Sequence, residues 1–84
     1  MANDGQTKAI FVQLRCKPGT TYDVAFEIYQ REIVSQLFST SGEWDLIAQI
    51  YPPADVDVGK WINENLNDIV GIERSLTTLT FKAF

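Results

Sequence analysis

From Lys8 to Cys16 the chain alternates with a period of two, Ile10, Val12, Leu14 and Cys16 falling on one side and Ala9, Phe11, Gln13 and Arg15 on the other. That period predicts a strand. Lys17-Pro18-Gly19 ends it, because proline lacks an amide donor and glycine accepts positive φ. The spacing then changes to three and four. Tyr22, Ala25, Phe26, Tyr29 and Ile33, with Val24 and Ile28 widening the stripe, predict a helix capped by Thr20 or Thr21 whose Asp23, Glu27, Gln30 and Arg31 face water. Val34 to Ser41 alternates again but is polar, as an edge strand is. Gly42-Glu43 predicts a hairpin turn, and Trp44 to Tyr51 a more apolar strand with Ile47 and Tyr51 on one face and Trp44, Leu46, Ala48 and Ile50 on the other.

Pro52-Pro53 stops that strand. Asp55 or Asp57 caps a second helix in which Val58, Trp61, Ile62, Leu66 and Ile69 recur at helical spacing, and Gly71 stands where a helix end takes a left-handed residue. Ile72 to Phe84 predicts a long closing strand with a threonine-rich middle. The order is βαββαβ. Right-handed crossovers then place both helices on one face of a four-stranded antiparallel sheet, a ferredoxin-like α+β domain over residues 8–84 behind a disordered lead-in, residues 1–7. Large apolar residues occur on both faces of the first, third and fourth strands (Phe11 with Leu14, Ile47 with Ile50, Phe81 with Leu76). One helix layer cannot cover both faces, so a second copy of the sheet is the simplest cover, giving a homodimer.

Composition narrows the partners. At 84 residues the chain is a single small domain whose own core supplies modest stability, which favours self-association further. A net charge of −4 with acidic residues from Asp4 to Glu73 leaves no basic stripe for a phosphate backbone, so direct nucleic-acid binding is not expected. No apolar run is long enough to span a bilayer, the single Cys16 forms no internal disulfide, and the polar start is unlike a signal peptide. A cytoplasmic protein is the expectation.

The inventory for covalent chemistry is nearly empty. Without histidine and with one cysteine, the usual zinc ligand sets, the Ser/His/Asp triad and the Cys/His pair are missing, and no glycine-rich phosphate loop can be drawn. No cofactor and no catalytic residue is expected. Asp55 and Asp57 read as a cap, Cys16 as a buried small hydrophobe and Trp61 as core. Trp44, directly after the turn, packs at the sheet end or lines a pocket, with nothing in the sequence to choose between them. Ser75, Thr77 and Thr78 suit a strand, and equally the recognition of a ligand's polar groups.

At Ser41-Gly42-Glu43-Trp44-Asp45-Leu46 the sequence resembles the effector domain of the Lrp/AsnC transcription regulators, whose hairpin carries G-x-x-D after threonine or serine; Gly42 and Asp45 match. The likeness runs on through Lys17-Pro18-Gly19 and through Gly71-Ile72 with Ser75-Leu76-Thr77. It implies a dimeric α/β barrel closed sheet to sheet, dimers assembling into rings, and an amino acid or related small effector bound near the hairpin. Carried over by position, the ligand-binding candidates are Ser41, Gly42, Glu43, Trp44 and Asp45, with Ser75 and Thr77 from the last strand. The competing reading of the hairpin is that Gly42 only makes the turn and Asp45 only ties its backbone.

Two departures from the family stand out. The first strand begins near residue 8, where regulators carry a helix-turn-helix domain first, so the resemblance is to a stand-alone effector module, which acts on transcription through a partner such as a full-length regulator or serves as a small-molecule sensor with another outlet. Ile33-Val34-Ser35-Gln36 is also more polar than the family's strand there. The alternatives are a small dimeric-barrel enzyme of monooxygenase or isomerase type, drawing on Tyr22, Tyr29, Trp61 or Asp45, and a purely structural assembly domain.

Overall fold

Six elements follow in the expected order: β1 (Ile10–Cys16), α1 (Thr21–Gln30), β2 (Gln36–Ser39), β3 (Leu46–Ile50), α2 (Val58–Asn65) and β4 (Ile72–Leu79). The structure, a computed structural model, describes residues 8–84. The lead-in expected over residues 1–7 lies outside the described residues. The strands form one antiparallel sheet in the order β2-β3-β1-β4, so each helix crosses over one intervening strand, as the ferredoxin-like plan requires. The sheet of the single chain is open, with β2 and β4 as its edges.

The core is the helix-side face. Val12, Leu14, Leu46, Ala48 and Ile50 pack there against Val24 and Ile28 of α1 and Ile62, Leu66 and Ile69 of the α2 region. No polar or charged residue is buried among the described residues. The two-residue alternation of β1 and β3 is thus realised as predicted, buried residues alternating with half-buried or exposed ones.

The first helix turns a different side to the core than its aromatic spacing suggests. Val24 and Ile28 are fully buried, while Tyr22, Phe26 and Tyr29 are exposed. Both sets recur at helical spacing, and the aliphatic one is the set that joins the core. Thr20 is the cap residue, but its hydroxyl donates to the Lys17 carbonyl and accepts from none of the first-turn amides, so no side-chain cap bond forms. In α2 the Asp57 carboxylate does accept from the Lys60 amide. That helix stops at Asn65, and turns carry the chain through Leu66, Ile69 and Gly71 into β4. Trp61 is only half-buried at the core margin.

Gly71, at φ +107, is held by packing as well as by conformation. A Cβ there would lie 2.7 Å from Val24 Cγ2 and 3.1 Å from Thr20 Oγ1, so only glycine lets α1 close on this turn. Every strand is shorter than expected: β1 begins at Ile10, β2 keeps four residues of the eight from Val34 to Ser41, β3 begins at Leu46, and β4 ends at Leu79. Alternation in the sequence outlasts the ladder because ladder bonds need a neighbouring strand.

Candidate functional site

Residues 40–45 join β2 to β3 at the end of β1, and three contacts fasten this hairpin to β1. The Asp45 amide donates to the Leu14 carbonyl at 2.8 Å. The Cys16 amide donates to Asp45 Oδ2 at 2.8 Å, and the Arg15 guanidinium donates to the Glu43 carbonyl at 3.0 Å. Within the hairpin, the Thr40 amide donates to the Asp45 carbonyl and the Thr40 hydroxyl to the Trp44 carbonyl. Gly42 takes φ +94, with open space where a side chain would be. Asp45 therefore does tie backbone, through one of its two oxygens. Oδ1 has no partner among the described residues.

Opposed residues in an antiparallel ladder share a face, so the register sorts the remaining candidates. Arg15 faces Arg74, on the side away from the helices. The Arg74 guanidinium lies 5.6 Å from the centroid of the Trp44 ring, so Trp44 packs across the end of the sheet as half of a cation–π pair. The Arg74 side chain makes no hydrogen bond or ion pair among the described residues, while Arg15 has a loose contact with Glu73 at 3.8 Å. The β1–β4 register slips between Arg15 and Cys16, leaving Glu73 as the extra residue of a bulge beside this pair.

Ser75 and Thr77 lie opposite Leu14 and Val12 and so belong to the helix side of β4. The structure groups Trp44, Asp45, Glu43, Arg15 and Arg74 at one end of the sheet, with Ser41 and Gly42 exposed at the tip. It leaves Ser75 and Thr77 on the other side of β4. The sequence reading missed Arg15 and Arg74. The alternation of Arg15 with the buried β1 residues and the charge of both were visible, but their pairing with the hairpin depends on strand register.

Burial pushes the Cys16 thiol up, the Asp45 charge adds to this, and a hydrogen bond involving Thr21 opposes it. That is the behaviour of a packed thiol and not of an activated nucleophile. The helix–sheet layer, where a barrel enzyme would keep its chemistry, is filled by the apolar core. Among the described residues no group of three or more His, Cys, Asp or Glu could hold a metal ion, and no helix is long and apolar enough to cross a membrane.

A family model described as the Lrp/AsnC ligand binding domain matches residues 9–84. Among curated proteins no relative matches. Solved structures share the fold. TTHA0845 of Thermus thermophilus is 22% identical with a TM-score of 0.81, over 90% of this chain and 95% of that one. PHS023, a hypothetical protein of Pyrococcus horikoshii, is 19% identical with a TM-score of 0.76, over 86% and 87%. The transcriptional regulator NMB0573 of Neisseria meningitidis, solved as a complex with L-Met, is 15% identical with a TM-score of 0.78, over 93% of this chain but 52% of the regulator.

Proposed function

Because this chain belongs to the Lrp/AsnC ligand binding domain family, we infer that it binds an amino acid at the tip of the β2–β3 hairpin and that two copies associate through the open face of the sheet. The hairpin carries the ligand part of this reading. Gly42 leaves the backbone uncovered, Asp45 Oδ1 offers a free carboxylate oxygen to an ammonium group, and the unengaged donors of Arg74 suit a carboxylate. The L-Met complex of the Neisseria regulator supports an amino acid as the ligand class. Ser75 and Thr77, on the far side of β4, could contribute only from a neighbouring copy's site.

The open face supports association. The register lines up Phe38, Ile47, Gln13 and Leu76 in one row across all four strands, with Phe11 in the next row. Phe38 and Leu76 are each about half exposed, so a second sheet laid on them removes apolar surface that one chain leaves wet. An effect on transcription then runs through a DNA-binding segment or partner, such as a full-length regulator, since this domain itself offers no basic surface stripe.

Calorimetric titration with the common amino acids tests the ligand reading. Binding of at least one of them, weakened in Asp45→Asn, is expected, and no heat from any of them would overturn it. Sedimentation should give at least twice the 9.5 kDa chain mass. A stable folded protomer at high concentration would remove the sheet-face dimer.

A further inference from the structure

The outer side of α1 is unexplained by either part of that reading. At 100° per residue, Tyr22, Phe26 and Tyr29 fall on one stripe opposite Val24 and Ile28, and all three rings are exposed. At the carboxyl end of the stripe lies a groove of about 540 Å³ lined by Phe26, Tyr29, Gln30, Glu32 and Val34. That volume is within the range of small-ligand sites, roughly 300–1,000 Å³. None of the lining residues belongs to the hairpin.

Three features give the groove one electrostatic sign. Glu32 is the only charged residue in its lining; it is exposed and has no ion pair among the described residues. Its amide donates to the Tyr29 carbonyl at 3.1 Å and its φ is +55, so the chain turns back there and keeps Glu32 beside the last turn of α1. The helix itself adds to this, because its carboxyl end carries partial negative charge and no basic residue stands in its last turn. Arg31 follows directly, but its guanidinium donates to Glu27, Asp68 and the Asn65 carbonyl and takes no part in the lining. The third feature is aromatic. Phe26 and Tyr29 supply exposed rings, whose faces carry the negative part of the ring quadrupole.

Each feature favours a cation. A primary ammonium is strongly hydrated and would exchange its water for one carboxylate and one amide oxygen. A methylated ammonium group has no such shell to lose, and its methyl groups suit ring faces and the Val34 side chain. We propose that this groove binds an organic cation through a methylated ammonium head, held against the Phe26 and Tyr29 rings and beside the Glu32 carboxylate. The site is separate from the hairpin and does not depend on the sheet-face dimer.

Nuclear magnetic resonance titration of the nitrogen-labelled full chain with tetramethylammonium chloride, replacing sodium chloride at constant ionic strength, tests this. Amide signals of Phe26–Val34 should move saturably, with a dissociation constant on the order of 10 mM, the strength that two exposed rings and one exposed carboxylate give to a head group alone. Phe26→Leu and Tyr29→Leu keep apolar bulk and remove the ring face, and each should weaken binding about threefold. Glu32→Gln should weaken it about threefold as well. All three changes lie at exposed positions, and circular dichroism checks that the fold is kept. Neutral tert-butanol of similar size, and ammonium chloride, should produce no saturable shift of these signals. A response to tert-butanol equal to that of the cation makes the groove merely apolar and overturns the proposal, and an equal response to ammonium chloride overturns it by removing the need for methyl groups. So does a wild type whose groove signals stay still, or variants that bind as wild type does. Shifts confined to residues 40–45 would place the cation at the hairpin, and groove signals that follow chain concentration and not the cation would place a second copy there; both outcomes refute the site.

Discussion

Replacing Asp45 by alanine and by asparagine separates what its carboxylate does for the fold from what it does for a ligand. Oδ2 accepts from the Cys16 amide at 2.8 Å in a part-buried position. A hydrogen bond to a charged acceptor contributes about 1.5–3 kcal/mol, and alanine also leaves the Cys16 N–H without its partner, so Asp45→Ala should cost about 2–3 kcal/mol. An 84-residue domain at about 0.05–0.15 kcal/mol per residue has about 4–13 kcal/mol in all, so the loss is easily measured. Asparagine keeps an oxygen in the same place and removes only the charge, so about 1 kcal/mol is expected. For a bound ammonium group the order changes. Both variants lose the charge, and both should weaken an amino acid by about 10–100-fold, the equivalent of about 1.4–2.8 kcal/mol. Urea melts at fixed chain concentration and calorimetry on the same samples give the two readouts. If Asp45→Asn binds as wild type does, the carboxylate only ties the hairpin. If asparagine destabilises as much as alanine, the Cys16 hydrogen bond is not the source of the loss.

Gly71→Ala combines a positive φ with a 2.7 Å approach to the fully buried Val24 and should cost about 2–4 kcal/mol in urea melts. Gly42→Ala, with open space around it, should lose only the conformational part, about 1 kcal/mol; equal losses would refute the steric account. The Arg31 guanidinium, through its hydrogen bond, holds the Asp68 carboxyl below the usual carboxylate range. The stabilisation is therefore present at neutral pH and lost as pH falls through that lowered value, and an acid melting series should flatten in Asp68→Asn. Burial raises the Cys16 thiol, so its share of stability is intact below the ordinary thiol range and lost as pH climbs through the raised value. A thiol reagent at mildly alkaline pH should label Cys16 far faster in urea than in buffer. Phe38→Asp and Leu76→Asp, each at a half-exposed position of the open face, should leave the circular dichroism spectrum unchanged and yield monomers by sedimentation. Unchanged mass would place the dimer contact elsewhere.

Much of the fold is legible because the period of apolar residues changes from two to between three and four and back, while Pro18-Gly19 and Pro52-Pro53 mark the breaks. The side that α1 turns inward was not legible. Tyr22, Phe26 and Tyr29 and the pair Val24 and Ile28 are both valid helical stripes, so the helix offers two apolar sides to the sheet. Reading the larger aromatics as core follows from their area. The structure chooses the aliphatic pair because Gly71 lets the helix approach the turn before β4 so closely that a single Cβ is excluded. Strand ends were illegible for a related reason. Val34, Thr40 and Trp44 favour extended backbone, but whether a neighbour pairs with them is decided by the hairpin's length.

The candidate site divides in the same way between local and non-local signals. Glycine at position 42 and aspartate at position 45 are marked in the sequence because a turn needs a residue at positive φ and a short acceptor near it, and both needs are met within six residues. What closes around them is set by register: Arg15 reaches the Glu43 carbonyl, Cys16 the Asp45 carboxylate, and Arg74, a strand further, the Trp44 ring. Each hydrogen bond contributes about 0.5–1.5 kcal/mol, more where a charge takes part. Together they fix the hairpin's shape within the chain itself, so a ligand proposed to bind there would meet donors and acceptors already placed and lose little affinity to ordering them. A loop free in solution with the same six residues would lack that advantage, which is why the motif alone is a weaker predictor of binding than the motif fastened to the end of β1.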